Sequence, residues 1–266
     1  NNKRYPGIIS YIAGGGLSAG SVALYTTSIP IILAAFIIGF LVTLLIKLLG
    51  RAALPPFFIQ IIAALSVTLI STGILWLVNH KYWEFFALID PTILTVGGIV
   101  LLVAGMMIVG AFQDAIDEYY VTASARLLKV VMLTLGIVLG VSMGLYAARQ
   151  FGLAFVATPD SLSFTNTTYQ YIGAVIISAS FALSNNSRPV GLLITGASGL
   201  LGYYVLLAVS ELGLIIIPSN AVAGFTVGFT ATVVSRLTRI PSQAIIDAGI
   251  VPLVPGLTLY NGLMAL

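Results

Sequence analysis

The segment Gln113-Asp114-Ala115-Ile116-Asp117-Glu118-Tyr119-Tyr120-Val121-Thr122-Ala123-Ser124-Ala125-Arg126 holds three of the chain's eight carboxylates. Its carboxylates (Asp114, Asp117, Glu118) and hydroxyls (Tyr119, Thr122, Ser124) can hold an ammonium group, and Arg126 can hold a carboxylate through paired N–H donors. Those are the two ends of a free amino acid. A carboxylate close to a bilayer also suits proton carriage, because loss of hydration disfavours its charged form. The plainer reading is a solvated helix at the membrane surface, with Arg126 anchored among headgroups. Both readings stand at this point.

A second cluster is Pro252-Leu253-Val254-Pro255-Gly256, followed by Thr258, Tyr260 and Asn261. Two prolines three apart remove two backbone donors and disfavour helix at the residues before them. A helix broken within a membrane frees carbonyls and half-helix ends, which is tolerated where they line a cavity. A kink made for packing is the alternative. Asp247, a turn or two earlier, is another candidate proton site. Gln60 and Asn220 open two further apolar stretches just after Pro55-Pro56 and Pro218; helix-to-helix hydrogen bonding suits them better than a substrate role. Gly136, Gly140 and Gly144, and again Gly196, Gly199 and Gly202, are small-residue stripes for helix packing rather than a nucleotide loop. His80, Tyr82, Trp83 and Trp76 cluster where aromatic residues anchor at an interface.

The elements that must position these residues follow from composition. Only 7 % of the 266 residues are charged, 59 % are hydrophobic, and mean hydropathy is +1.11. An ordinary soluble domain carries about 25 % charge. The chain therefore reads as an integral membrane protein. With no cysteine and one histidine, disulfides, thiolate zinc sites, iron–sulfur clusters and histidine-rich metal sites are excluded, and neither a metal nor a cofactor is expected. The net charge of +3 lacks the clustered basic surface of a nucleic-acid binder. The chain starts at Asn1 without the pattern of a removable signal peptide, and it reads as a trimmed product.

A hydrocarbon core of about 30 Å needs about 20 apolar residues in a helix. Charges and prolines delimit nine such stretches, 7–25, 30–49, 56–79, 91–112, 128–148, 169–186, 189–209, 213–235 and 242–263. Their continuous Leu/Ile/Val/Gly character argues against the short alternating strands of a β-barrel. With the N-terminus in the cytoplasm, Lys3, Arg4, Lys47, Arg51, Arg126, Lys129, Arg188, Arg236 and Arg239 fall inside, and only Lys81 and Arg149 fall outside. Positive loops stay cytoplasmic, so that orientation is expected.

The chain also resembles itself. Ser21-Val22-Ala23-Leu24, then Ser28 and Pro30, match Ser180-Phe181-Ala182-Leu183, then Ser187 and Pro189, at an offset of 159. Gly98 to Gly105 match Gly249 to Gly256 at an offset of 151, sharing six of eight residues. The change of offset fits a loop at 80–90 longer than its partner near 236–241. An odd number of spans separates the matches, so the expected architecture is an all-α helical bundle of about nine to ten transmembrane helices. It is built from two inverted five-helix repeats, 1–150 and 151–266, with a tenth helix expected after Leu266. Inverted repeats are characteristic of secondary transporters, with the substrate site near the midplane.

Four motifs then give a resemblance to the threonine/serine exporter family: Leu54-Pro55-Pro56-Phe57-Phe58; Gly105 through Gln113-Asp114-Ala115-Ile116 to Val121-Thr122-Ala123-Ser124-Ala125-Arg126; Val227-Gly228-Phe229-Thr230; and Pro252-Leu253-Val254-Pro255-Gly256-Leu257 with Leu259-Tyr260. The resemblance implies a ten-helix exporter in the cytoplasmic membrane of a bacterium or archaeon. It would move small hydroxylated amino acids outward on the proton motive force, usually with a hydrophilic cytoplasmic domain before the first helix. Its expected partners are the lipid bilayer, the amino acid and protons, with homo-oligomerisation left open. Some relatives divide the halves between two subunits and are linked to dicarboxylate export, which keeps the substrate open. An intramembrane enzyme is the contrasting class. Asp114-x-x-Asp117-Glu118 resembles one Asp-rich motif of the membrane prenyltransferases, but those enzymes need two, and the chain has one.

Overall fold

The computed structural model describes residues 7–79, 91–100, 102, 105–150, 165–213 and 215–253. Regular structure among them is helical throughout: α1 (Gly7–Ala23), α2 (Ile29–Arg51), α3 (Pro56–Asn79), α4 (Pro91–Val100), α5 (Gly105–Ile116), α6 (Tyr120–Gln150), α7 (Thr167–Ser184), α8 (Pro189–Glu211), α9 (Ile216–Thr238) and α10 (Ser242–Ile250), with a 3-10 turn at Val251–Leu253. Seven of the nine expected stretches fall on one helix each; the ninth opens as α10 and a 3-10 turn and leaves the described residues after Leu253. The fourth also departs from one helix. The span expected at 91–112 holds two described helices, α4 and α5, with Leu102 in a turn between them, its N–H donating to the Ile99 carbonyl at 2.7 Å. The segment 113–126 forms a helical hairpin, with Thr122, Ser124 and Arg126 already on α6.

Five helical stretches are long and apolar enough to cross a membrane, in α2, α3, α6, α8 and α9. The others fall short for identifiable reasons. α1 is 17 residues, about 26 Å, and it is rich in Gly, Ala and Ser because neighbouring helices bury nearly all of Ala13–Ala23. α7 opens with Thr167, Thr168 and Gln170, and its Asn166 cap accepts from the Thr168 N–H at 3.1 Å. α4 and α10 are the broken spans.

The helix bounds repeat. α2 and α8 start and finish 160 positions apart, α3 and α9 start 160 apart, and α1 and α7 start 160 apart. α4 and α10 start 151 apart, the offset of the second sequence match. Eleven residues separate α3 from α4 and three separate α9 from α10, and α3 is one residue longer than α9, which together account for the change from 160 to 151. Even the backbone outliers correspond: Ala53 (φ 55°) follows α2 and Gly213 (φ 87°) follows α8, again 160 apart.

By mutual contact the chain forms two compact units, Asn1–Phe40 with Ser163–Pro255, and Leu41–Leu162 with Gly256–Leu266. These differ from the sequence halves, since α1 and the start of α2 belong with the later helices. In the first unit α1 and α7 run antiparallel. A Cβ on Gly16 would strike Ser180, and one on Gly20 would lie 2.8 Å from Ile177 and 3.0 Å from the Gly173 carbonyl. Glycine lets the backbones close to this distance. α8 and α10 run parallel, with Ser198 beside Gly249 and Leu253 beside Gly202. Leu24, Ala174, Ile177, Tyr203, Ala223, Val227 and Leu253 form this unit's core. In the second unit α3 and α6 run parallel, Gly136 against Phe57 and Gln60, Gly140 against Ile61 and Ala64, and Gly144 against Thr68. The stripe read from the sequence is thus a packing seam. Antiparallel first and sixth spans, and parallel pairs three with five and seven with nine, agree with a chain that crosses the membrane at each expected span.

Two predictions follow from this packing. Gly140→Leu should cost about 1–3 kcal/mol and lower the thermal midpoint in detergent, since a side chain there meets the Ile61 carbonyl. Ala53→Gly should stabilise by about 1 kcal/mol and Gly213→Ala should destabilise by about as much, because only glycine adopts the left-handed conformation without a Cβ clash. Shifts of one sign for both would break the correspondence of the two turns.

Candidate functional site

The α5–α6 hairpin brings Asp114 and Arg126 together. α5 stops at Ile116 in a Schellman turn: the Tyr119 N–H donates to the Asp114 carbonyl at 2.7 Å, the Glu118 N–H to the Ala115 carbonyl at 3.2 Å, and Glu118 sits at φ 66°. The reversal sets α6 back along α5. Arg126 Nε then lies 3.0 Å from Asp114 Oδ2, with the two side chains 47 % and 19 % exposed. Asp114 Oδ2 itself is buried with no aligned hydrogen-bond donor, so the contact is coulombic.

Gly110, one turn before Asp114, completes the arrangement. A Cβ there would lie 2.6 Å from a terminal nitrogen of Arg126, so the guanidinium rests against bare α5 backbone. The sequence reading overlooked Gly110. The signal was its spacing, four residues before the carboxylate on one face of the helix.

The remaining residues of the segment scatter. Asp117, Glu118, Tyr119, Tyr120 and Thr122 are exposed, and Ser124 turns its hydroxyl back to the Val121 carbonyl at 2.9 Å. Gln113 is half-buried. Arg126 and Lys129 at one end and Arg149 at the other bracket the apolar stretch 130–148 of α6, roughly 28 Å long. The ion pair therefore sits at one end of the hydrocarbon region.

Gln60 lies in the same unit and has a definite role. Its Nε2 donates to the Leu102 carbonyl at 3.0 Å, where α4 has ended and α5 has not begun. Asn220 occupies the position 160 residues later, at half-buried depth on α9.

In the other unit, α10 ends at Ile250, two residues before Pro252, which is buried. Proline lacks an N–H, so the Ala248 carbonyl has no helical partner four residues on. Val251 nevertheless keeps helical dihedrals, φ −51° and ψ −45°, and the chain tightens into the 3-10 turn rather than extending. Asp247 Oδ1 accepts from Gln243 Nε2 at 2.7 Å, one turn earlier on the same helix. Pro255, Gly256, Tyr260 and Asn261 lie outside the described residues, as do His80, Tyr82 and Trp83.

The sequence also did not reveal a buried relay in this unit. Tyr203 O–H donates to Gln170 Oε1 at 2.9 Å, Gln170 Nε2 to the Thr165 carbonyl at 2.6 Å, and the Thr165 N–H to the Leu24 carbonyl at 3.1 Å. It ties α8, the start of α7 and the end of α1. A lone glutamine in an apolar span was the available signal.

Comparison with known proteins agrees with these motifs. One family, described as "Putative threonine/serine exporter", matches residues 1–147, and a second, "Threonine/Serine exporter, ThrE", matches residues 170–266. The threonine/serine exporter of Corynebacterium glutamicum is 30 % identical over 259 residues, covering 96 % of this chain and 52 % of that protein. A protein of Mycobacterium tuberculosis named "Probable threonine/serine exporter" is 29 % identical over 269 residues, covering 98 % of this chain and 49 % of that protein. The chain thus spans about half the length of these relatives. No solved structure matches it. On the strength of the match across its first 147 residues and of these relatives, the chain is a multi-pass membrane protein of the threonine/serine exporter family.

Proposed function

We propose that the protein exports threonine and serine across a bacterial cytoplasmic membrane, driven by the proton motive force through alternating access of two inverted repeats. The N-terminus lies in the cytoplasm, as the distribution of Lys and Arg supports. The observation that carries the substrate reading is the Asp114–Arg126 pair, 3.0 Å apart at one end of the membrane region. It offers one negative and one positive group, the complement of a zwitterion. In the proposed orientation that end is cytoplasmic, where an exporter collects its substrate. A dicarboxylate would call for a second cation beside Arg126, and the group there is a carboxylate.

The repeating helix bounds and the antiparallel α1–α7 pair support the inverted repeat. α4 and α10, each interrupted at the matching point, supply the discontinuous helices around which such carriers work. Asp247, Asn220 and the stretch from Pro252 through Pro255, Gly256, Tyr260 and Asn261 belong to the second repeat's share of the pathway in this reading. Gln60 serves the break.

Threonine counterflow in proteoliposomes tests the reading. Labelled threonine should exchange at equal pH on both sides, and an imposed pH gradient should drive it uphill. Exchange that ignores the gradient would remove proton coupling, and absence of any threonine flux would remove the exporter. Pro252→Ala restores a donor for the Ala248 carbonyl, so it should straighten α10 and slow exchange severalfold without loss of folded protein. Unchanged exchange would reduce the break to a packing detail.

A further inference from the structure

Resting on the exporter reading, the ion pair also suggests how proton and substrate are coupled. We infer that the Asp114–Arg126 pair is a coupling lock. Closed, it pins α5 to α6 and holds the empty, deprotonated carrier in one conformation. It opens in two ways. A zwitterionic amino acid opens it by placing its ammonium on Asp114 and its carboxylate on Arg126, or a proton opens it by neutralising Asp114.

The geometry suits such a device. The contact is coulombic with no aligned hydrogen bond, and Asp114 Oδ2 is buried. Its strength thus depends on charge, which one proton cancels. Arg126 stays 47 % exposed, reachable from solvent while paired. Gly110 leaves the guanidinium a bed of bare backbone. α5 is a short helix of 12 residues, with Leu102 in a turn between it and α4. The other charged groups at this end, Asp117 and Glu118 in the turn and Lys129 on α6, are exposed, where solvent screens them. α6 is the element packed most closely on α5, and it presents Arg126 to Asp114.

Charge counting gives the direction of coupling. Loaded with a zwitterion, the site has Asp114 ionised and Arg126 charged, for no net charge. Returning with Asp114 protonated, it carries one positive charge. Each cycle moves one amino acid outward and one proton inward, so both the pH gradient and an inside-negative potential drive export. The proton binds Asp114 from the outer water and leaves it to the cytoplasm. No bond in the substrate changes.

The test compares the wild-type protein with Asp114→Asn in proteoliposomes, reading exchange, uphill export and downhill leak of labelled threonine. Asn cannot lock Arg126 and cannot carry the proton. The variant should keep exchange, with about tenfold weaker apparent affinity. It should lose pH- and potential-driven accumulation and pass threonine downhill at any pH. Gly110→Leu, which displaces the guanidinium and keeps both charged residues, should leak in the same sense. Continued uphill export by Asp114→Asn overturns the lock. So does loss of exchange together with accumulation in a normally folded variant, which would make Asp114 a binding residue alone. If the wild-type protein moves no threonine, the exporter reading falls with it; if it moves threonine uphill while Asp114→Asn does too, only the lock falls.

Discussion

Inside hydrocarbon an unpaired peptide group finds no water, and that constraint shapes this chain more than any side-chain chemistry. Most helices meet it by being uninterrupted. The two that do not are short, and both are protected: α4 is buried along nearly its whole length, and the end of α10 is covered with Pro252 and Leu253 buried after it. At the turn after α4, Gln60 reaches from α3 to the Leu102 carbonyl. A membrane protein does not place an amide there without a polar group to satisfy, so the broken helix and the glutamine explain one another. The Schellman turn after α5 settles the orphan carbonyls of that helix, and it also aims α6 so that Arg126 faces Asp114.

With little charge and no aqueous driving force between helices in lipid, cohesion comes from close backbone approach. Glycine is the means in both units. α1 is nearly a glycine–alanine–serine rod, gripped by α7 on one side and by Phe36 and Gly39 of α2 on another. α3 and α6 are joined along Gly136, Gly140 and Gly144. Such seams are tight but carry few directional bonds. The relay from Tyr203 through Gln170 and Thr165 to Leu24 supplies direction at one end of α1 and α7, fixing register that glycine contacts leave free.

Much of this was legible in the residues. Continuous apolar runs between charges located seven of nine spans, and the Gly136 stripe announced its seam. Two short matches led to the expected inverted repeat, and helix starts recur at offsets of 160 and 151. The turn at Leu102 was not legible, since Leu101-Leu102-Val103-Ala104 is as apolar and as helix-compatible as its surroundings. It is a tertiary outcome, marked only by the distant Gln60. Nor was the α5–α6 hairpin, because its turn uses Glu118 in the left-handed region, where glycine or asparagine would have signalled a stop. Proximity of Asp114 and Arg126, twelve positions apart, depends on that turn. Read as one continuous helix, the segment would have set them roughly 18 Å apart.

In the proposed exporter the sparseness of charge and the nature of the substrate belong together. A zwitterion has no net charge, yet each of its ends needs an opposite partner in a poorly hydrated place. A site with several cations would attract anions, and one with several carboxylates would keep metal ions or basic compounds. One carboxylate and one guanidinium, paired with each other while the site is empty, avoid both and leave neither charge bare near the bilayer. Asp247 is treated differently, held by the neutral amide of Gln243. Asp114 thus faces a cation and Asp247 a dipole. Opposed environments of that kind separate a group that exchanges partners from one that does not.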